Sequence, residues 1–264
     1  MKKFISFFAL SILLTSCSKE TTTIVSNANG NDTVEVKNQF VVDSIRVFDS
    51  LKISKTLSVQ FEKQLLVFPT ITDKVLLDSI YSPTFTETKN YDKNSLLSAL
   101  DKDKKKFFEE NKEMSKDFTP DFEQTWDELS YMKIFSHNGD LLTLQYFGDG
   151  FSGGAHGYHY ENYKVFDLKD KKVVSLNDIF INPNDKIWDS ILSSHFNEKE
   201  QKEMLLVDKI PLNSNYYFDQ NKITFVYNQY EITAYAAGVV FITINFNEIK
   251  DKLKPDFIKK YNIK

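Results

Sequence analysis

The sequence predicts an α+β fold with antiparallel sheets, packed helices and two sequential subdomains, and three observations support this prediction. Alternating runs of β-branched and aromatic residues occupy both ends of the globular region. A charged stretch with helical periodicity at residues 94–118 separates them. Strands and helices are therefore segregated along the chain rather than alternating, which disfavours a doubly wound parallel sheet.

The composition sets the broad class of the protein. The chain has 264 residues, of which 41% are hydrophobic, including 23 Phe and 13 Tyr. This is enough apolar surface for a real core in one or two domains, and it excludes wholesale disorder. A single Cys excludes a disulfide framework and a zinc site built from cysteines. With 33 basic against 37 acidic residues, the net charge of −4 argues against a nucleic-acid partner.

The N-terminus predicts export. A short basic start, Met1-Lys2-Lys3, precedes a mostly apolar run at residues 4–14. That run is too short for a bilayer core of ~30 Å, which needs roughly 20 residues, so residues 1–16 are predicted to be a signal peptide. The run ends in Leu14-Thr15-Ser16-Cys17, which resembles the lipobox of bacterial lipoproteins. Cleavage before Cys17 and lipidation of its thiol are therefore expected.

The lipid anchor predicts a location. At ~0.8 kcal/mol for each buried CH₂, several acyl chains hold a protein at a membrane permanently. Without Lys2 and Lys3 the mature chain has 31 basic and 37 acidic residues, a net charge of −6. Residues 17–38 are predicted to be the lipidated Cys and a flexible tether. Ser18 after the Cys resembles outer-membrane sorting in Gram-negative bacteria, so a cell-envelope protein is expected.

The first subdomain is predicted at residues 39–121. Two or three strands are expected before Pro69, clearest at residues 57–61, where apolar residues alternate. A short helix is expected at residues 72–81, capped by Thr72 or Asp73, and a long helix at residues 94–118.

The second subdomain is predicted at residues 122–254, followed by a C-terminal tail at residues 255–264. The dipeptide Asn138-Gly139 predicts a hairpin turn. The expected strands are 126–135, 141–147, 158–168, 173–176, 223–227 and 238–246. The expected helices are 185–206 and a short one near 248–253.

Five of the eight glycines fall between residues 148 and 157. Residues 150–154 match G-x-S-x-G, which would make Ser152 a nucleophile if a helix followed. The next residues alternate as a strand instead, so a cell-wall hydrolase using Ser152 or His156 is kept only as the alternative function. Residues 148–153 also match G-x-G-x-x-G, but the helix that binds a pyrophosphate is again missing. No catalytic residue and no cofactor are predicted.

The same segment offers two histidines. On a strand, His156 and His159 would point to opposite faces, which suits one metal ion poorly, and His137 and Glu161 could join them only through the fold. No metal site is predicted. The simplest interpretation is structural: a loop that requires positive φ angles or a close backbone approach. Its expected rim is aromatic: Phe151, Tyr158, Tyr160 and Tyr163.

The glycine-rich segment and several later segments resemble a known protein family. Gly153-Gly154-Ala155-His156 and the segments 165–168 (VFDL) and 174–180 (VSLNDIF) resemble the signature of the DUF3298 domain. Residues 230–238 (YEITAYAAG) resemble the second signature of that family. Residues 57–121 are more weakly similar to the DUF4163 domain that usually precedes it.

The resemblance implies a binding function. The DUF4163/DUF3298 pair forms the extracellular part of an anti-sigma factor that binds lysozyme, and it accompanies a catalytic domain in some peptidoglycan deacetylases. In neither setting is the pair the known catalyst. We therefore expect a lipid-anchored, non-enzymatic envelope protein that binds a protein or cell-wall ligand, such as lysozyme or peptidoglycan. The candidate ligand-binding residues are Gly153, Gly154, His156, Tyr158, Tyr230 and Tyr235.

Overall fold

The computed structural model describes residues 40–118 and 120–264, in which Val41–Lys264 form one compact unit. The predicted signal peptide, Cys17 and the predicted tether lie outside the described residues. The unit contains two sheets and several helices, which confirms the predicted α+β class. None of the described helices combines the length and the apolar character needed to cross a membrane.

The larger sheet has six strands in sequential order. They are β1 (Asp43–Lys52), β2 (Leu57–Val67), β3 (Gln124–Asn138), β4 (Leu141–Phe151), β5 (Tyr158–Asp167) and β6 (Lys172–Val173). Neighbouring strands are antiparallel except β2 and β3, which are parallel. These two strands lie on either side of residues 121 and 122, so the sheet continues across the predicted subdomain boundary. The predicted turn after Asn138 connects β3 to β4, with Gly139 at a φ of 59°.

Two helices, α1 (Lys74–Tyr81) and α2 (Lys93–Asp117), lie between β2 and β3 in the chain and confirm the predictions. The carboxylate of Asp73 caps α1 by accepting a hydrogen bond from the Leu76 backbone N–H at 3.0 Å. Asp92 caps α2 in the same way. α2 packs on the sheet through Phe107, whose ring centroid lies 5.8 Å from that of Phe61 on β2.

The smaller sheet contains three antiparallel strands, β7 (Tyr216–Phe218), β8 (Lys222–Tyr227) and β9 (Val240–Asn245). The helices in this half are α3 (Leu176–Ile179), α4 (Ile187–His195), α5 (Lys199–Lys202) and α6 (Pro255–Tyr261). Trp188 of α4, Phe225 of β8 and Phe257 of α6 are buried in one hydrophobic core. Val165 of β5 belongs to the same core, so the two sheets share it.

Four predicted elements differ from the structure. The helix expected at 185–206 is interrupted after α4, because Phe196 is buried and takes an extended conformation. The helix expected near 248–253 is replaced by two 3₁₀ helices, Phe246–Glu248 and Lys250–Lys252. The strand expected at 173–176 ends at Val173, because α3 starts three residues later. The expected C-terminal tail instead contains α6, which Phe257 anchors in the core.

Candidate ligand-binding site

The glycine cluster ends β4 and forms the loop that leads to β5. Gly153 and Gly154 have φ angles of 87° and 92°, a region that side chains disfavour. A Cβ on Gly148 would lie 2.8 Å from the ring of Tyr160, and a Cβ on Gly150 would overlap the ring of Tyr158. The structural interpretation of the cluster, positive φ together with close approach, is therefore confirmed.

His156, at the end of this loop, lies in an aromatic cluster with Tyr230 and Tyr235. The imidazole stacks on Tyr235, with ring centroids 3.9 Å apart and planes inclined by 25°. Its Nδ1 lies 2.9 Å from the carbonyl oxygen of Gly157, and its Nε2 lies 3.3 Å from the hydroxyl of Tyr230. A carbonyl can only accept, so Nδ1 donates and Nε2 is left to accept from the Tyr230 hydroxyl. The fold thus brings together three of the predicted site residues, although Tyr230 lies 74 positions after His156 in the sequence.

Tyr158, also predicted for the site, has a different set of neighbours. It lies over Gly150, and its ring is nearly parallel to that of Tyr160, at an angle of 7° with centroids 6.4 Å apart. Burial is the main reason that the pKa of the Tyr158 hydroxyl is raised, with a further contribution from Glu128. Tyr158 nevertheless remains 47% exposed. It therefore contributes aromatic surface near the loop without joining the aromatic cluster.

The aromatic surface extends from the loop towards the end of α2. A Cβ on Gly153 would lie 3.3 Å from the ring of Trp126, the first large buried side chain of β3. The ring of Phe118 lies parallel to Trp126, with centroids 6.3 Å apart, and is 56% exposed. We call Phe118, Gly153, His156, Tyr230 and Tyr235 the glycine-loop surface. Tyr230, at 59%, and His156 are also exposed on this surface.

Beside this surface, charged side chains of β4 and β5 form a hydrogen-bonded network. It consists of Asp149 on β4 and of His159 and Glu161 on β5, and we call it the carboxylate network. The Nδ1 of His159 lies 2.6 Å from Oδ1 of Asp149, and its Nε2 lies 3.4 Å from Oε1 of Glu161. Tyr163 and Gln145 both donate to Oε2 of Glu161, at 2.8 Å and 3.1 Å. The side chains of Asp149, His159 and Glu161 are 48%, 31% and 23% exposed.

The network decides the protonation of His159. Burial alone would lower the pKa of its imidazole, but the hydrogen bond and the charge of Asp149, and then those of Glu161, outweigh burial and raise it. From the sequence alone, His159 and Glu161 suggest no role beyond that of possible metal ligands. The alternation of β5 already places both side chains on one face with Tyr163, while the pairing of His159 with Asp149 required the strand register.

Side-chain amides connect the network to the smaller sheet. The backbone N–H groups of His159, Glu161 and Tyr163 donate to the side-chain oxygens of Gln229, Asn228 and Asn215, at 3.1, 2.7 and 2.7 Å. We call these three amides the amide ladder. They satisfy the edge of β5 opposite β4 at the residues that come before the pairing with β6. Gln229 directly precedes Tyr230. The amide ladder therefore fixes the loop that presents the glycine-loop surface. No sequence pattern predicts the amide ladder, because isolated Asn and Gln residues have no periodicity.

The surroundings of Ser152 and His156 differ from those of a G-x-S-x-G nucleophile and its base. Across residues 40–118 and 120–264, no hydrogen bond joins Ser152 to a histidine, and a strand rather than a helix follows its loop. Both ring nitrogens of His156 are already engaged. In the part of the chain that the structure describes, no group of three or more His, Cys, Asp or Glu side chains is arranged to hold a metal ion.

Comparison with known families identifies one part of the chain. Residues 177–247 match the family described as "Protein of unknown function (DUF3298)". This confirms the predicted DUF3298 resemblance for the segment that includes Tyr230 and Tyr235. Gly153 to His156 lie before the matched residues. The DUF4163 resemblance of residues 57–121 stays a prediction. No curated protein matches the chain.

Two solved structures share the fold. A DUF3298 family member from Bacteroides fragilis superposes with a TM-score of 0.69 at 20% identity, covering 84% of this chain and 96% of that one. A DUF3298 family protein from Pseudomonas aeruginosa gives a TM-score of 0.54 at 16% identity, covering 84% of this chain and 98% of that one. At these identities the likeness concerns the fold.

Proposed function

We propose that this chain, in which residues 177–247 form a DUF3298 domain, is a lipid-anchored, non-enzymatic protein of the bacterial envelope that binds a basic protein such as a lysozyme. The observation that carries the proposal is the position of the exposed aromatic cluster next to the carboxylate network. His156 of the cluster lies in the β4–β5 loop, and Asp149 and His159 of the network lie on the strands that flank this loop. The amide ladder connects β5 to the segment that contains Tyr230.

The chemistry of the two groups suits a protein partner. Tyrosine is enriched at protein interfaces, where its ring supplies contact area and its hydroxyl a hydrogen bond. Tyr230 and Phe118 expose more than half of their surface. Carboxylates at the rim of an interface attract lysine and arginine side chains and accelerate association with a basic partner. The net charge of −6 expected for the mature chain has the same sign as these carboxylates.

Anchoring rests on the lipobox resemblance at residues 14–17. A thiol is the nucleophile that takes the diacylglyceryl group, so the only Cys of the chain has a chemical reason to be at this position. Labelled palmitate should enter the wild-type chain in a bacterial host and should not enter the Cys17→Ala variant. Equal incorporation into both would contradict the anchor.

The DUF4163 part of the proposal concerns residues 39–121. Their strands β1 and β2 join the same sheet as β3, through a parallel pairing that runs from Leu57 opposite Gln124 to Gln64 opposite Tyr131. A DUF4163 unit that completes the sheet of a DUF3298 unit fits this pairing, and we propose that the two act as one binding body.

Calorimetric titration tests the function. The soluble fragment of residues 18–264, which contains the whole compact unit, is titrated with a c-type lysozyme, and in parallel with soluble peptidoglycan fragments, at low and physiological salt. We expect saturable binding of lysozyme that persists at physiological salt and weakens at least tenfold in Tyr230→Asn, since Asn tolerates the φ of 66° at this position. Phe241→Ala, which removes an exposed ring on β9, should bind as the wild type does. No heat with lysozyme would contradict the proposal, whether or not peptidoglycan binds.

A further inference from the structure

A second site lies at the opposite end of the β3–β4 hairpin from the glycine loop. Three turns converge there: the β3–β4 turn at Asn138, the β7–β8 turn at Gln220 and the end of α6 at Asn262. They enclose a cavity of about 570 Å³. This volume is within the range of ~300–1,000 Å³ typical of small-molecule sites.

Side chains that contact one another form the floor of the cavity. Asp167 is 1% exposed, and its carboxylate accepts hydrogen bonds from the Tyr261 hydroxyl at 2.7 Å and from the Asp170 backbone N–H at 2.8 Å. Lys260 forms ion pairs with both Asp167 and Asp170. The buried ring of Phe218 lies 5.8 Å from that of Tyr261, edge to face. Two aromatic rings thus lie beneath a polar rim.

Most side chains of the rim have no hydrogen-bond partner within the protein. In the described part of the chain, five rim side chains make no hydrogen bond or ion pair with another group: Asn138, Asp140, Gln220, Asn221 and Asn262. Asp219 differs from them, because its carboxylate already accepts from the backbone of Asn221 and Lys222. Four of the five free groups are amides, each with both a donor and an acceptor.

The charged groups that line the cavity indicate which class of ligand it suits. The lining contains three carboxylates, of Asp140, Asp167 and Asp219, and two ammonium groups, of Lys169 and Lys260. Lys260 is already paired with two carboxylates, so the cavity has little attraction for an anion. A hydroxyl group, like a side-chain amide, donates and accepts together. Amides around an aromatic floor therefore suit a neutral molecule with several hydroxyls on one side and C–H groups on the other.

We propose that this cavity binds a neutral saccharide unit, with the rim amides on its hydroxyls and Phe218 and Tyr261 beneath its C–H face. The site is separate from the glycine-loop surface and does not depend on a protein partner. Gln220, at the β7–β8 turn, and Asn262, at the C-terminus of α6, are rim amides from two different elements, and replacing their side chains breaks no hydrogen bond within the protein.

Nuclear magnetic resonance titration tests the proposal on the mature chain from residue 18, which contains the whole compact unit. The ligands are chitotriose, cellotriose and, as an anion, inorganic phosphate. We expect at least one trisaccharide to bind with a Kd of ~1 mM or tighter. The amide shifts should saturate at Gly139, Phe218 and Lys260 and should be absent from residues 152–157.

Paired variants complete the test. In Gln220→Ala with Asn262→Gly the affinity should fall at least tenfold; glycine is chosen because Asn262 has a φ of 52°. Tyr230→Asn should bind the saccharide unchanged, which separates this site from the protein-binding surface. The proposal is overturned if neither trisaccharide shifts the cavity resonances, if the rim variant binds like the wild type, or if phosphate alone binds there.

Discussion

The ring of Tyr158 covers the backbone of Gly150, the residue directly opposite it in the β4–β5 ladder. One step along, Tyr160 covers Gly148 in the same way. Two glycines spaced two residues apart on β4 thus provide room for two tyrosines spaced two apart on β5. The glycines next to the loop are therefore required by the packing of these rings, while the binding surface begins beyond them at Gly153.

Substitution of Gly150 tests this packing. Gly150→Ala places a methyl group within the Tyr158 ring, so we expect a loss of roughly 1–3 kcal/mol in the free energy of unfolding. In a Tyr158→Ala background the ring is gone, and the same substitution should cost clearly less. Urea denaturation of the four proteins measures the difference. Equal costs in both backgrounds would show that the two residues do not share the space.

The carboxylate network predicts a pH dependence. The folded-state pKa of His159 is raised above its ordinary value of 6.5, so its contribution to stability is fully present below pH 6.5 and is lost as the pH rises through the folded pKa. The imidazole resonances of His159 should therefore titrate above pH 6.5. Asp149→Asn should lower the midpoint of the His159 titration. Asp170→Asn, which lies beyond the opposite end of β5 from His159, should leave that midpoint unchanged. A wild-type midpoint at or below 6.5 would rule out the network.

The amide ladder predicts local stability. Asn215 accepts from the Tyr163 backbone and donates to the carbonyl of Glu161 at 2.8 Å. In Asn215→Ala we expect a loss of roughly 1–3 kcal/mol, because backbone groups at a half-buried strand edge lose their partner. Amide hydrogen exchange should accelerate at Tyr163 before it does at Leu144. Asn184→Ala, on an exposed turn, is the control, and uniform acceleration throughout the sheet would contradict a local effect.

The lowered pKa of the buried Asp167 carboxyl predicts that the protein loses stability at acidic pH. Burial alone would raise the pKa of this carboxyl, but Lys260, the Asp170 N–H and the Tyr261 hydroxyl outweigh burial and lower it. Its contribution to stability is therefore present above the unfolded value of about 3.8 and is lost as the pH falls through the folded pKa. We expect Asp167→Asn to be less stable than the wild type at pH 7, with a difference that shrinks below pH 3.8. A constant difference from pH 7 to pH 2 would exclude the ion pair as its source.

Local patterns predicted the elements whose signals lie within a few residues. The cap at Asp73, the long helix α2 and the turn at Asn138 all have such signals. Pro255 at the first turn of α6, followed by Phe257, is also a helix start, so this helix could have been found. The end of α4 at Phe196 has no such signal, because the burial of Phe196 in the hydrophobic core overrides the helical propensity of the charged residues that follow.

The candidate site likewise has some features with a local sequence signal and others without one. The glycine cluster and the family signature drew attention to His156, Tyr230 and Tyr235, which the fold brings together. The pairing of Asp149 with His159 depends on strand register, and the capping of β5 by Asn215 and Asn228 depends on how the two sheets meet. The parallel pairing of β2 with β3 likewise follows from a long connection through two helices. No local pattern indicates which strands such a connection joins.

The most direct test of the binding proposal is a hydrogen-exchange footprint of the mature chain with and without a c-type lysozyme at physiological salt. We predict protection of the amides at residues 152–157 and 229–237, a smaller effect at residues 158–161, and none at residues 218–222 beside the saccharide cavity. Tyr230→Asn should abolish the protection at both loops. An unchanged exchange pattern at residues 152–157 and 229–237 at saturating lysozyme would contradict the proposal.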